Sequence, residues 1–307
     1  MATGESTPAS EENPADNSDY ARSSRPGRAA FFFRGVLLFG VLAIVFALLR
    51  IGSFPDEMAR WHMAAAQNHA DDKDFKAAEQ SLHDAASWDG DNPDIYLIRA
   101  DWHLANKEFE KALEAFQAAI DAAPNQPHGY VARSNYYEER NELAKTLPDC
   151  DQLVRIYEQE GVRQYFSYRD GTMSIRPYNR RAYHRALANE QVAAGIEDAN
   201  KSMEIFGKSL AVLDTRGYLY FRMGDYEKAL KDMDTAIEGQ RVWVEDLRGK
   251  PKSAQISGNL VLHEHTLAVL LVHRMKVFEA QGEQEKARRD REQIVELSYD
   301  PDDEKLH

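Results

Sequence analysis

The stretch LDTRGYLYFRMGDYEKALKDMDTAIE, Leu213 to Glu238, decides how the chain is read. Leu213, Gly217 and Tyr220 fall at i, i+4 and i+7, one face of a 3.6-residue period. Ala229, Met233 and Ala236 repeat that spacing further on. Between the two runs, Met223-Gly224-Asp225 predicts a tight turn. Glycine accepts the left-handed backbone that helix ends need, so Gly224 closes the first helix. Asp225 then caps the second through its side-chain oxygen. Small residues at Gly217 and Ala229 let two antiparallel helices approach closely. Such a pair cannot bury its apolar face alone and needs neighbours of the same kind.

The neighbours are legible. Phe75-Lys76-Ala77-Ala78-Glu79-Gln80-Ser81-Leu82 precedes Phe109-Glu110-Lys111-Ala112-Leu113-Glu114-Ala115-Phe116 by 34 residues. Ala85 and Ala119 keep the offset, as do the helix-ending Gly90 and Pro124. Ile196 to Met203 precedes Leu230 to Ile237 by the same 34. A further copy begins at Phe278-Glu279-Ala280-Gln281-Gly282.

This pattern resembles the tetratricopeptide repeat, a helix-turn-helix unit of 34 residues. Gly217, Tyr220, Ala229 and Ala236 hold the family's small and aromatic positions. Tyr96, Ala100, Ala112, Phe116 and Pro124 do so in an earlier copy. The resemblance implies an all-α fold: a right-handed α-solenoid of about five to six hairpins within residues 53–307. The units are placed at 59–92, 93–126, a divergent 127–157, about 176–209, 210–243 and 268–301. In the third, Thr146 replaces the expected Ala, and Pro148 is expected to delay or kink the second helix. Insertions are expected at about 158–177, with a turn at Asp170-Gly171, and at about 241–258, with Arg248-Gly249-Lys250-Pro251-Lys252 as a basic loop. Leu260 to Gln281 then reads as one helix longer than the family norm.

The N-terminal region reads differently. Residues 1–28 are rich in Ser, Pro, Ala, Glu and Asp with one aromatic, Tyr20, which predicts a disordered tail. Ala29 to Leu49 then gives 21 residues with one charge, matching the ~20 needed to cross a bilayer core. Between Arg34 and Arg50 stand 11 Leu, Ile, Phe or Val residues, which contribute about −3 to −7 kcal/mol to insertion. No small-x-small cleavage site follows Leu49, so 29–52 is expected to be an uncleaved transmembrane helix and not a signal peptide. Arg22, Arg25, Arg28 and Arg34 precede its core, against Arg50 and Arg60 after it. The positive-inside rule then places the N-terminus in the cytoplasm and residues 53–307 outside, on a cell (inner) membrane.

Composition excludes some functions. A net charge of −13 argues against a general nucleic-acid binder, which needs a basic face. One cysteine, Cys150, allows neither an internal disulfide nor a cysteine metal cage, and reads as a small buried hydrophobe. There is no phosphate loop and no nucleophile elbow. In His263-Glu264-His265 the two imidazoles point about 200° apart on a helix and cannot chelate together. His265 and His273 share a side, which a polar helix face explains equally well. Asp71-Asp72-Lys73-Asp74 and Asp300 to Glu304 read as solvated turns, without calcium-loop spacing. No cofactor or metal is expected.

The resemblance also implies a groove lined by the first helix of each unit, holding a peptide or extended segment. Position by position, its candidate lining is Met63, Gln67, Leu97, Asp101, Val131, Asn135, Asn179, Tyr183, Asp214 and Tyr218. The family's clamp for a terminal carboxylate needs Lys, Arg and Asn at set positions, but Leu97 and Asp101 occupy two of them. A mixed apolar and acidic groove points to a partner with basic and aromatic groups. The expectation is a non-catalytic, membrane-anchored scaffold for a protein or peptide partner. The alternative is a sensor of small molecules or glycans built on Tyr165, Phe166, Tyr168 and Trp243.

Overall fold

In the computed structural model, residues 40, 54–159 and 176–303 are described. The chain divides into two units, Met1–Met58 and Ala59–His307. The described residues hold twelve α-helices and no strand. They run as hairpins: α1 (Phe54–Asp71) with α2 (Phe75–Trp88), α3 (Pro93–Ala105) with α4 (Phe109–Ala122), and α5 (His128–Glu139) with α6 (Leu147–Glu158). After the second stretch come α7 (Pro177–Ala188) with α8 (Val192–Phe206), α9 (Leu210–Arg222) with α10 (Tyr226–Arg248), and α11 (Ala254–Ala280) with α12 (Gln284–Glu296). One hairpin falls at each of the six expected units, the fifth running past its expected end and the sixth starting ahead of its expected start.

One turn closes every hairpin. Its hinge residue has positive φ: Lys73 (62°), Lys107 (60°), Asn141 (56°), Asn189 (54°), Gly224 (78°) and Gly282 (74°). The next residue's N–H reaches five residues back. Asp74 donates to the His69 carbonyl, Glu108 to His103, Glu142 to Tyr137, Glu190 to Arg185, Asp225 to Tyr220 and Glu283 to Phe278, at 2.8 to 3.1 Å. These bonds satisfy carbonyls that the helix end leaves open. Asp74 and Asp225 then accept from the third backbone N–H of the helix that follows, as expected for Asp225.

Close approach inside a hairpin depends on small residues. A Cβ built on Gly217 would stand 2.9 Å from Met233 Cγ and 3.1 Å from the Ala229 carbonyl oxygen. Around that contact Ala229, Met233, Ala182, Ala199, Val212 and Leu219 form a core that Val277 of α11 extends into the next hairpin. Apolar clusters thus bridge adjacent hairpins, and such interfaces between neighbours hold a stacked array together.

A row of arginines runs beside it. Arg133 of α5 grips Asp149 of α6 through Nε and Nη2 at 2.9 and 2.6 Å. Arg181 grips Asp198 at 2.7 and 2.7 Å, Arg216 grips Asp232 at 2.7 and 2.9 Å, and Arg274 grips Asp290 at 2.9 and 2.6 Å. In each clamp the third arm, Nη1, reaches back to the second helix of the preceding hairpin. Its acceptors are Gln117 on α4, Asp151 on α6, Asn200 on α8 and Asp234 on α10, at 2.7 to 3.0 Å. Each guanidinium therefore ties its own hairpin shut and fixes it to its neighbour. Its planar fork suits two-point contact with a carboxylate.

The departures have local causes. Pro148 sits in the first turn of α6, behind a 3-10 turn at Leu143–Thr146, so the proline delays the helix without kinking it. The insertion expected at 241–258 is mostly helix. α10 runs on to Arg248 because Val244 and Leu247 continue its buried stripe, and Ser253 caps α11 by accepting from the Ile256 N–H at 3.1 Å. Only 249–253 lie outside helices, and the long helix starts at Ala254, ahead of the expected Leu260. Residues 160–175 of the first insertion, the expected tail at 1–28 and the expected anchor at 29–52, Gly40 excepted, lie outside the described residues. Among the described residues no helix is long and apolar enough to cross a membrane.

Candidate partner groove

Several first helices lie against the first helix of an adjoining hairpin. α3 neighbours α5, and α9 neighbours both α7 and α11. Two rows of candidate residues follow from the 34-residue offset. Met63, Leu97 and Val131 are half-buried and pack on the cores beneath them. Gln67, Asp101 and Asn135 are exposed one turn further along the same helices. Partial burial raises the Asp101 carboxyl above its usual range.

From Asn135 onward the face becomes polar and crowded. Arg180 of α7 donates Nη2 to Ser134 Oγ at 2.8 Å and to Asn135 Oδ1, tying α7 to α5. Burial lifts the Glu138 carboxyl on α5, opposed by Arg180 and by a hydrogen bond from Tyr183. Burial, with Glu138 adding to it, also pushes the Tyr183 phenol well up. His184 is fully buried, and that burial, with Arg180 beside it, lowers its imidazole to about 3. Its Nε2 lies 3.6 Å from Glu138 Oε2. At that distance a neutral ring makes no hydrogen bond, so geometric proximity here is not an ion pair. Asn179 Oδ1 and both His184 nitrogens are buried with no hydrogen-bond partner among the described residues.

The last two candidates are covered. Asp214 and Tyr218 of α9 are 7% and 4% exposed because α11 lies over them. His273 of α11 sets Nδ1 2.9 Å from both Asp214 carboxylate oxygens and stacks on the Tyr218 ring at 4.5 Å. They brace the joint between the last two hairpins.

The histidines are dispersed. His263 contacts Gln240 at 2.9 Å and stacks on Trp243, His265 stands edge-on to Tyr299, and His273 belongs to Asp214. Among the described residues no three His, Cys, Asp or Glu side chains stand where they could hold a metal. Cys150 is buried on α6, and burial pushes its thiol up to about 12. Tyr165, Phe166 and Tyr168 lie outside the described residues, while Trp243 is 53% exposed.

Two features went unread in the sequence. The arginine clamps left a trace, an Arg sixteen or seventeen residues before an Asp in four units. Lys276, on α11 one helix beyond the last candidate, lies on the same face, with its amine lowered to about 8 by burial and by Arg222.

Stacked helical hairpins define a helical-repeat protein. Residues 69–134 and 210–238 match models of the tetratricopeptide repeat, so the chain carries tetratricopeptide repeats in these two stretches. Comparison with curated protein sequences gives no match. Among solved structures it is similar to the type IV pilus biogenesis factor PilW, at 18% identity over 81% of this chain and 96% of that one, with a TM-score of 0.48. The Pseudomonas aeruginosa pilF protein aligns at 12% identity over 79% and 93%, with a TM-score of 0.47. A tetratricopeptide-repeat protein from Parabacteroides merdae aligns at 17% over 81% and 96%, with a TM-score of 0.46.

Proposed function

We propose that the chain is a non-catalytic scaffold, held in a membrane by residues 29–52, that binds a protein or peptide segment along the groove of its first helices. The observation that supports this reading is a burial pattern that recurs every 34 residues on α1, α3 and α5. Met63, Leu97 and Val131 offer half-buried apolar contacts at a fixed repeat, and Gln67, Asp101 and Asn135 offer polar ones beside them. Such a surface suits an extended segment, whose apolar side chains settle between helices while its backbone meets amides and carboxylates. Anchoring confines the bound partner near one plane and raises its effective concentration there without new contacts. The proposed topology puts the N-terminus in the cytoplasm and the repeats on the outer side of a cell (inner) membrane.

Affinity capture from detergent-solubilised membranes tests this, using the full-length chain and a Leu97→Glu, Val131→Glu variant. A partner recovered by the parent and lost by the variant supports groove binding. Equal recovery by both places the interface elsewhere. Alkaline extraction of membranes tests the anchor, since release of the chain into the soluble fraction contradicts it.

A further inference from the structure

Two neighbouring helices outgrow the rest. α10 has 23 residues and α11 has 27, where the other α-helices have 12 to 18. α9 packs on both and begins only at Leu210. Gly239 of α10 meets that first residue, since a Cβ built on it would stand 2.6 Å from Leu210 Cδ2. Trp243 is one turn further along nearly the same side of α10, past the start of α9. On α11, His273 lies on Asp214 and Tyr218 of α9. Leu262 is eleven residues, three turns, before His273 on nearly the same side. His263 stacks on Trp243 with ring centres 5.7 Å apart, which sets Trp243 and Leu262 at one level. The side of the α10–α11 pair that α9 covers is therefore left open beyond Leu210. Trp243 and Leu262 stand on it, 53% and 63% exposed.

The overhang also differs from the rest of the chain in charge. Residues 239–266 hold four Lys or Arg and three Asp or Glu, in a chain of net charge −13. Its charges are matched from within. Arg248 Nη2 stands 2.6 Å from Glu264 Oε1, and Lys250 Nζ stands 2.6 Å from Asp246 Oδ2. A strongly charged partner, an anionic lipid surface included, finds little there to pair with. A second copy of this chain fits better, because two acidic molecules repel least where they meet at a near-neutral end. Two overhangs related by a two-fold axis close into four helices, with Trp243 and Leu262 of both copies inside. The open face is two helices wide, about 20 Å, and about 12–18 Å long. That is less than the ~800 Å² each partner gives to a standard interface. The pairing is accordingly weak in dilute solution and fills when copies are confined together, as the proposed anchor would confine them.

We propose that the overhang of α10 and α11 is a self-association surface, covered by the same surface of a second copy, with Trp243 and Leu262 as its central contacts. It uses none of the ten groove candidates, so it stands or falls apart from the groove reading. A pair of copies would present two first-helix faces to a partner with two binding segments, which raises avidity without any new contact in the groove.

The test uses the purified full-length chain in lipid vesicles, where only lipid and other copies are available as neighbours. With benzoylphenylalanine in place of Leu262, irradiation is expected to give an adduct of twice the chain mass. The same probe at Gln67 or Lys76, both exposed in the first hairpin, should give none. Energy transfer between copies labelled through His307→Cys then reads association as the protein-to-lipid ratio rises. Trp243→Glu should raise the ratio at half-association at least about tenfold, as loss of a central aromatic contact does. Trp243→Phe should keep most of it, and unchanged thermal midpoints exclude loss of fold. If Trp243→Glu lowers the midpoint, the crosslink at Leu262 decides alone, since it leaves Trp243 in place. Lipid adducts at Leu262 without the double-mass species would assign this face to the bilayer and overturn the proposal. Energy transfer indifferent to Trp243→Glu, or double-mass adducts equally from Gln67 and Lys76, would overturn it as well.

Discussion

Asp232→Ala is the sharpest probe of what holds a hairpin shut. In the parent, the Asp232 carboxylate is buried and accepts from Arg216 Nε and Nη2 at 2.7 and 2.9 Å, and that bond chiefly raises the affinity of Arg216 for its proton. Alanine removes both bonds and strands the guanidinium, whose side chain is 20% exposed, with the Asn200 oxygen at 2.7 Å as its remaining polar contact. Removing one member of a buried pair costs about 3–5 kcal/mol. With a fifth of the arginine open to water and one contact kept, about 2–4 kcal/mol is expected. Because repeat arrays open locally, the loss should appear as faster amide exchange across 210–248 and the neighbouring α8, with residues 93–122 unaffected. The double variant Arg216→Leu, Asp232→Leu removes both charges and should recover to within ~1 kcal/mol of the parent. A cost below about 0.5 kcal/mol for Asp232→Ala, or a double variant as damaged as the sum of its singles, would refute the view that these clamps hold the hairpins shut.

Gly217→Leu should cost at least 1–3 kcal/mol, since its Cβ alone would press on Met233 Cγ and on the fixed Ala229 carbonyl; urea unfolding measures it. Lys107→Gly should stabilise by about 0.5–1 kcal/mol, because Lys107 holds φ 60° at a hairpin turn where glycine is unstrained; thermal unfolding decides the sign. His184 is neutral in the fold down to about pH 3 but gains a proton near pH 6.5 once unfolded. Unfolding therefore takes up a proton between these values, and stability falls as pH drops through that window, by up to ~1.4 kcal/mol per pH unit. His184→Leu should flatten that part of the pH–stability curve, and an unchanged slope contradicts the assignment. The Cys150 thiol, buried and raised to about 12, should resist an aromatic disulfide reagent until denaturant is added.

The hairpins were legible because each is written locally. Gly224 with Asp225, and Gly217 opposite Ala229, announce a turn and a close contact within a few residues. Lys73, Lys107 and Asn141 occupy the same left-handed hinge without announcing it, since these residue types are ordinary in sequence and the geometry comes from the turn's hydrogen bonds. The second insertion looked like a loop because Arg248 to Lys252 is polar and carries Gly and Pro, whereas Val244 and Leu247 extend the helix through tertiary burial. The groove positions were placed by the repeat register, which the hinges at Lys73, Lys107 and Asn141 keep. What the register could not show is that α11 covers Asp214 and Tyr218, or that α10 and α11 run on past the start of α9, because both depend on how adjacent units stack.

The central claim is that the first-helix face receives a partner. Photo-crosslinking with benzoylphenylalanine in the membrane-bound, full-length chain addresses it most directly. Probes at Gln67, Asp101 and Asn135 on first helices are compared with Lys76, Glu114 and Lys231 on second helices, all six exposed. Adducts of one mass from the first three and none from the others are predicted. Adducts from the second-helix positions, or from neither set, contradict it.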